Sequence, residues 1–162
     1  MKRIVISTLL LLLASPAVAD VEVQFHAEYN DGFSITNLNG CPLTDVEVEI
    51  NMTTSVGTLV FDTFPGPPGL NQSQSLRILS GGDFLAQTPA VRDGSQTLIL
   101  NIKELPSDGM IIVALDTDSK HSAWSNTEEI KGGFAKITDS ELTVFNNKGT
   151  ALVPTGNCSE VS

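Results

Sequence analysis

The sequence predicts an all-β protein, an antiparallel β-sandwich of the jelly-roll or Greek-key-like kind. Apolar and polar residues alternate with a period of two in several short segments, which is the pattern of strands with one solvated face. Turn-forming residues recur about every 8–12 positions, and no window has the apolar period of a long amphipathic helix. These observations together predict roughly nine or ten short strands.

The N-terminus predicts a secretory signal peptide that is removed from the mature protein. Lys2 and Arg3 precede an apolar stretch over residues 4–14, and Ala17, Val18 and Ala19 fit a small-x-small cleavage site. We expect a signal peptide over residues 1–19 and a single β-sandwich domain over residues 20–162. No other segment has the length and apolarity of a membrane span. The protein is therefore expected to be secreted, extracellular or periplasmic, with no membrane span after processing.

The first third of the domain shows the clearest alternation. Residues 21–27 alternate and predict a strand, and the Asp-Gly turn at residues 30–32 returns the chain into a partner strand over residues 33–37. Residues 46–51 predict the best example of a strand with one solvated face. Residues 58–63 predict a short strand that carries Asp62 near its end.

The middle and the end of the chain continue the pattern. Three prolines and two glycines within residues 64–69 exclude a helix or a sheet interior and predict an external loop. Gly132 and Gly133 predict a bulge or bend in one of the later strands. Further strands are predicted at residues 75–79, 97–102, 130–137, 142–145 and 151–153.

Residues 110–115 form the longest apolar run outside the signal peptide, and Asp116, Thr117 and Asp118 follow it. A run of this length that is rich in Ile and Val predicts a strand buried on both faces. Because side chains alternate along a strand, Asp116 and Asp118 would project on the same side if the strand continues.

Two nearby carboxylates at a strand end suggest a calcium site. Calcium prefers hard oxygen ligands, and extracellular modules bind it at strand ends and loops. We expect Asp116 and Asp118 to be ligands, with Asp62 and either Glu128 or Glu129 as further ligands. The alternative interpretation is that these acids only solvate a strand end and its turn.

The charge balance restricts the possible partners. The chain has a formal net charge of −10 at pH 7, and removal of Lys2 and Arg3 leaves seven basic and nineteen acidic residues. Such a surface repels nucleic acid and anionic lipid, and it suits divalent cations or simple solubility. The expected partners are an extracellular protein, a glycan or a second copy of the chain.

Cys41 and Cys158 are the only cysteines. In an oxidising compartment, two cysteines far apart in sequence predict a single disulfide bond, whereas free thiols or pairing between chains remain alternatives. The spacing excludes a CxxC redox motif and a cysteine-rich zinc site.

No pattern in the sequence indicates an enzyme. His26 and His121 lack an evident orienting partner, and no Gly-x-Ser-x-Gly elbow is present. Paired carboxylates such as Asp116 and Asp118 can serve a glycosidase, but the chain lacks the aromatic content typical of a sugar cleft. Trp124, the only tryptophan, suits either a lid over the core or a stacking contact with a partner.

Five short pieces occur in an order and spacing that resemble the aggregation factor core proteins, which are secreted bacterial proteins related to the core domain of sponge aggregation factors. The pieces are residues 33–37 (Phe-Ser-Ile-Thr-Asn), 41–43 (Cys-Pro-Leu), 59–63 (Leu-Val-Phe-Asp-Thr), 89–94 (Pro-Ala-Val-Arg-Asp-Gly) and 115–118 (Leu-Asp-Thr-Asp). The resemblance implies an extracellular β-sandwich linked to calcium-dependent cell association and no enzymatic activity.

The sequence thus predicts a secreted, acidic β-sandwich that acts as a binding or adhesion module and that contains a calcium site. The alternatives are an assembly subunit of a surface structure, which would need an unpaired edge or a donated strand, and a secreted glycoside-acting hydrolase.

Overall fold

The fold is an antiparallel β-sandwich, as the sequence predicts. A computed structural model describes residues 21–27, 31–64, 73–119 and 126–155. These residues contain a short 3₁₀ turn, Gly82–Phe84, and no helix long and apolar enough to cross a membrane. They form eleven strands: β1 Val21–His26, β2 Gly32–Asn37, β3 Leu43–Asn51, β4 Val60–Phe61, β5 Arg77–Ser80, β6 Thr97–Leu105, β7 Met110–Ala114, β8 Thr117–Asp118, β9 Phe134–Ile137, β10 Thr143–Val144 and β11 Thr150–Val153.

Three sheets arise from these strands. A five-stranded sheet has the order β11-β1-β2-β7-β5, a four-stranded sheet has the order β10-β9-β3-β6, and β4 pairs with β8 alone. Every pairing is antiparallel. Most neighbours within a sheet are not consecutive in sequence, so the chain crosses repeatedly between the two large sheets, as in Greek-key arrangements.

The core lies between the inner faces of the two large sheets. Val23 lies opposite Ile35 in the five-stranded sheet, and Val48 lies opposite Leu100 in the four-stranded sheet. All four side chains are fully buried. Period-two alternation in the sequence therefore reports which face of each strand points inward.

Phe33 on β2 occupies the middle of this core. Its ring centroid lies 5.2 Å from that of Phe25, 6.4 Å from that of Phe61 and 6.3 Å from that of Phe145. Phe61 belongs to β4, and Phe145 directly follows β10. The ring of Phe33 therefore joins the five-stranded sheet to the small β4–β8 sheet and to the edge of the four-stranded sheet.

The apolar run at residues 110–115 differs from the prediction in two respects. Met110 is 41% exposed and Ile112 is half-buried, because both lie on the outer face of the five-stranded sheet, opposite Thr36 and Ser34. The strand is thus buried on one face only. It also ends at Ala114, and Thr117–Asp118 forms the separate strand β8.

The predicted strand over residues 130–137 begins only at Phe134. The preceding residues form tight turns, in which the amide of Gly133 donates to the carbonyl of Ile130 at 2.9 Å. Gly132 has a φ of 91°, a conformation that side chains larger than hydrogen disfavour. Both glycines still pair with Phe145, because the amide of Gly132 donates to the carbonyl of Phe145 at 3.3 Å and the amide of Phe145 donates to the carbonyl of Gly133 at 2.8 Å. Two residues thus lie opposite one, so the predicted bulge or bend lies immediately before the strand.

Cys41 follows β2 in a loop held by a buried amide. The side-chain nitrogen of Asn37 lies within hydrogen-bonding distance of the carbonyl oxygens of Cys41, Leu105 and Pro106, at 2.9, 3.1 and 3.0 Å. Cys41 is disulfide-bonded, and no described cysteine is free. Its predicted partner Cys158 lies outside the described residues, so the pairing stays a prediction. The predicted signal peptide, His121, Trp124 and residues 65–69 of the predicted Pro-rich loop also lie outside them.

Phe33→Ala should reduce the free energy of unfolding by about 3–5 kcal/mol, because it removes a fully buried ring at the junction of three sheets and leaves a cavity. Urea denaturation measures the change. Phe64→Ala is the matched control, since Phe64 is 68% exposed and its loss should change stability by less than about 0.5 kcal/mol. Equal effects of the two substitutions would contradict the position assigned to Phe33.

Candidate metal centre

The small β4–β8 sheet determines where the acidic side chains lie. Phe61 pairs with Thr117 and Val60 pairs with Asp118. One step further, the amide of Asp62 donates to the carbonyl of Asp116 at 3.0 Å. Residues opposite each other in an antiparallel pair project on the same side, and that side alternates along the strand. Phe61 and Thr117 share one side, and the three aspartates share the other.

The side of the β4–β8 sheet that carries Phe61 and Thr117 packs in the core, and this packing holds the side that carries the aspartates in position. Phe61 and Thr117 are both buried, and the ring of Phe61 contacts that of Phe33 in the core. The backbone that carries Asp62 and Asp116 is therefore anchored by core contacts. The backbone segments at Asp62 and Asp116 cannot move apart without disturbing those contacts.

One side-chain oxygen from each of Asp62, Asp116 and Asp118 lies within 4.8 Å of the other two. Calcium–oxygen bonds are about 2.3–2.6 Å long, so two ligands on opposite sides of one ion are about 4.6–5.2 Å apart. The three oxygens are thus close enough to share a single ion. Asp62 is 2% exposed and Asp118 is 8% exposed, whereas Asp116 is half-buried.

Two of these carboxylates have unsatisfied oxygens. Oδ1 of Asp62 and Oδ2 of Asp116 are buried and accept no hydrogen bond. Nearly all buried polar atoms in folded proteins have a partner, and an unpaired carboxylate oxygen is especially costly. These two oxygens are therefore available to a positively charged partner.

The electrostatics agree with this conclusion. The pKa of Asp62 is raised to about 6, mainly by burial and further by the charges of Asp118 and Asp93. The pKa of Asp116 is also raised to about 6, mainly by burial and further by the charges of Asp118 and Asp62. One backbone N–H group lowers each pKa: that of Phe64 acts on Asp62, and that of Thr117 acts on Asp116. No basic side chain in the described part offsets the repulsion.

Asp93 is a fourth acid at this place, and the sequence indicated it only as part of an Asp-Gly turn. Its Oδ1 accepts the amides of Thr63 at 2.9 Å and Phe64 at 3.3 Å. Its side chain also makes a hydrogen-bond contact with that of Asp62. The turn is held there because the amide of Gly94 donates to the carbonyl of Phe61 at 2.8 Å. Only this tertiary contact brings Asp93 to the cluster.

The two glutamates considered as further ligands lie outside the cluster. Glu128 is exposed. The Oε2 atom of Glu129 accepts the amide of Asn126 at 2.9 Å, so this side chain closes its own turn. Neither glutamate belongs to the group of acids that can share an ion.

A histidine–serine contact that the sequence did not reveal lies on the outer face of the five-stranded sheet. Nε2 of His26 is 2.9 Å from Oγ of Ser34. A nucleophile–base pair also requires a group that orients the histidine. Within residues 21–27, 31–64, 73–119 and 126–155, no carboxylate hydrogen-bonds the other ring nitrogen of His26. The contact is therefore an ordinary cross-strand hydrogen bond.

No family model matches the sequence, and no curated protein matches it. Among solved structures, the chain is similar to carbohydrate-binding module CBM3b from the cellulosomal cellobiohydrolase 9A of Clostridium thermocellum. The identity is 16% and the TM-score 0.40, over 77% of this chain and 95% of that one. A point mutant of the same module gives 15% identity and a TM-score of 0.35, over 85% and 100% of the two chains. Similarity this distant does not bear on function.

In cation-free protein, Asp62 and Asp116 should make stability depend on pH. A carboxyl whose folded pKa is raised from its ordinary 3.8 to about 6 contributes most to stability when protonated. That contribution is complete below about pH 3.8 and is lost as the pH rises through about 6. With chelator present, Asp62→Asn should therefore be more stable than wild type at pH 7.5, and the difference should shrink towards pH 4.

Urea midpoints across this pH range measure the difference. Asp83→Asn is the control, because Asp83 is an exposed acid on the 3₁₀ turn and its replacement should give no such pH-dependent difference. If Asp62→Asn is less stable than wild type at pH 7.5 in chelator, the charge of Asp62 carries no penalty and the electrostatic argument fails.

Proposed function

We propose that this protein is a secreted, non-catalytic β-sandwich binding module that holds a calcium ion at Asp62, Asp116 and Asp118. The observation that carries the proposal is the set of three carboxylates, each with an oxygen within 4.8 Å of the others, two of which have a buried oxygen without a partner. A divalent cation supplies the positive charge that the surrounding side chains do not.

The donor chemistry favours calcium among the common divalent ions. Zinc prefers nitrogen and sulfur ligands, whereas the ligands here are carboxylate oxygens. Magnesium requires near-ideal octahedral geometry and usually retains several waters, which a largely enclosed site accommodates poorly. Calcium tolerates irregular oxygen shells and is bound by extracellular modules with dissociation constants of about 10⁻⁴–10⁻³ M.

The burial of the ligands supports a structural role for the ion. Asp62 and Asp118 are almost inaccessible and Asp116 is half-buried, so an ion between them would offer little access to a sugar or a partner side chain. The same burial disfavours the hydrolase alternative, because a glycosidase presents its two acids to an open cleft. The resemblance to aggregation factor core proteins supports a role in association with an extracellular protein or glycan, through surfaces other than the ion site.

Calcium should raise the thermal midpoint of wild-type protein relative to protein in chelator. At a free ion level of ten to a hundred times the dissociation constant, binding contributes about 1.4–2.7 kcal/mol. The double variant Asp116→Asn with Asp118→Asn should lose this response. Asp83→Asn with Asp139→Asn, which removes two exposed acids, should retain it. An unchanged wild-type midpoint, or equal shifts in wild type and the Asp116/Asp118 double variant, would mean that these aspartates bind no calcium.

Calcium should leave the oligomeric state unchanged, because an enclosed ion cannot bridge two copies of the chain. Size-exclusion chromatography in calcium and in chelator should give the same elution volume. A larger species that appears only in calcium would instead favour self-association or the assembly-subunit alternative.

A further inference from the structure

Gln74 is joined directly to two of the three acids by backbone hydrogen bonds. Its amide donates to the carbonyl of Asp62 at 3.1 Å, and its carbonyl accepts the amide of Asp116 at 3.2 Å. The amide of Asp62 in turn donates to the carbonyl of Asp116 at 3.0 Å. The three residues therefore form a closed ring of backbone hydrogen bonds, although they come from three separate parts of the chain.

Each residue of this ring carries a buried side-chain atom without a hydrogen-bond partner. These atoms are Oδ1 of Asp62, Oδ2 of Asp116 and Nε2 of Gln74. A buried donor or acceptor that is left unsatisfied typically costs about 1–3 kcal/mol, and more when it is charged. The side chain of Asp62 is moreover almost completely buried, with 2% of its surface exposed. The backbone ring brings these three residues together, and one partner placed between their side chains would satisfy all three atoms.

The side-chain amide of Gln74 can present either its oxygen or its nitrogen to such a partner. The oxygen and nitrogen of an amide have nearly the same size and shape, so a half-turn about the last side-chain bond exchanges them. Oε1 would then occupy the place of the unsatisfied Nε2. A neutral oxygen is a good calcium ligand, and it adds no charge to a cluster that already repels itself.

We propose that Gln74 supplies the fourth protein ligand of the ion through Oε1. This inference rests on the calcium site under Proposed function. It makes the protein donor set three carboxylates and one amide oxygen, which suits a hard cation and disfavours zinc and copper.

A ligand at Gln74 would also connect the ion to the beginning of strand β5. Gln74 lies three residues before β5, an edge strand of the five-stranded sheet. Its ladder with β7 is irregular between Ile78 and Ser80. A short edge strand with an irregular ladder has few contacts of its own, so its order depends on how its beginning is held. An ion bound by Gln74 would tie that beginning to Asp62 and Asp116.

Isothermal titration with calcium chloride tests the ligand assignment. Gln74→Ala should weaken the affinity about tenfold or more, since loss of even a supporting partner costs about 10–100-fold at metal sites. Gln74→Glu should bind at least as tightly as wild type, because it places a carboxylate oxygen where we assign the amide oxygen. Ser75→Ala, an exposed neighbour, should bind like wild type.

The outcomes separate this inference from the proposed function. If wild-type protein binds no calcium, the proposed function fails. If wild type and Gln74→Ala bind equally, only the ligand assignment fails. If Gln74→Glu is weakened as much as Gln74→Ala, the side chain acts as an N–H donor and the inference is overturned.

Hydrogen exchange provides a second readout. At calcium levels that saturate both proteins, exchange of the β5 amides (Arg77–Ser80) should slow on calcium binding in wild type but not in Gln74→Ala. The same degree of slowing in both proteins would show that the ion does not act on β5 through Gln74.

Discussion

The pairing of β4 with β8 brings carboxylates together in a space that contains no basic side chain among the described residues. This sheet has only two paired positions, yet it connects distant parts of the chain. The turn at Asp93 is bonded to Phe61, and Gln74, three residues before the edge strand β5, is bonded to Asp62 and Asp116. Because Phe61 also packs on Phe33, core contacts hold the backbone on the acidic side of this sheet in position.

This arrangement has an energetic cost that the fold must offset. Two carboxyl groups with a pKa of about 6 are mostly charged at pH 7, although one is buried, the other is half-buried and both lie beside other acids. Structural proteins rarely keep such a group without a partner, because burial and repulsion both act against it. A bound divalent ion would convert the repulsion into attraction, and it would make stability depend on the calcium concentration of the surroundings.

An enclosed ion also limits how the protein can act. Calcium at Asp62 and Asp118 would have little contact with solvent, so it would stabilise the module rather than join it to a partner. Recognition would then use the exposed surfaces of the large sheets. On the outer face of the five-stranded sheet, Met110 is exposed, Thr36 and Ile112 are half-buried and Ser34 is buried.

The sequence by itself determined the fold class and most strand positions. Inward and outward positions alternate along β1, along residues 46–51 of β3 and along residues 97–102 of β6, where burial selects apolar residues at every second position. The sequence also revealed Asp116 and Asp118, because only Thr117 separates them at the end of an apolar run. It did not reveal that Met110 and Ile112 face outward, since apolar composition alone does not distinguish a strand buried on both faces from one with an exposed apolar side.

Only the tertiary structure decided which other residues reach the acidic pair. Asp62 arrives through the β4–β8 ladder, Asp93 through a turn bonded to Phe61, and Gln74 through backbone bonds to both strands. None of these residues is near Asp116 in sequence, whereas Glu128 and Glu129, which are nearer in sequence, lie outside the cluster. The alternation of apolar and polar residues indicates only which face of its own strand each residue occupies. A site made by several strands depends on hydrogen bonds between distant segments, and this alternation does not encode them.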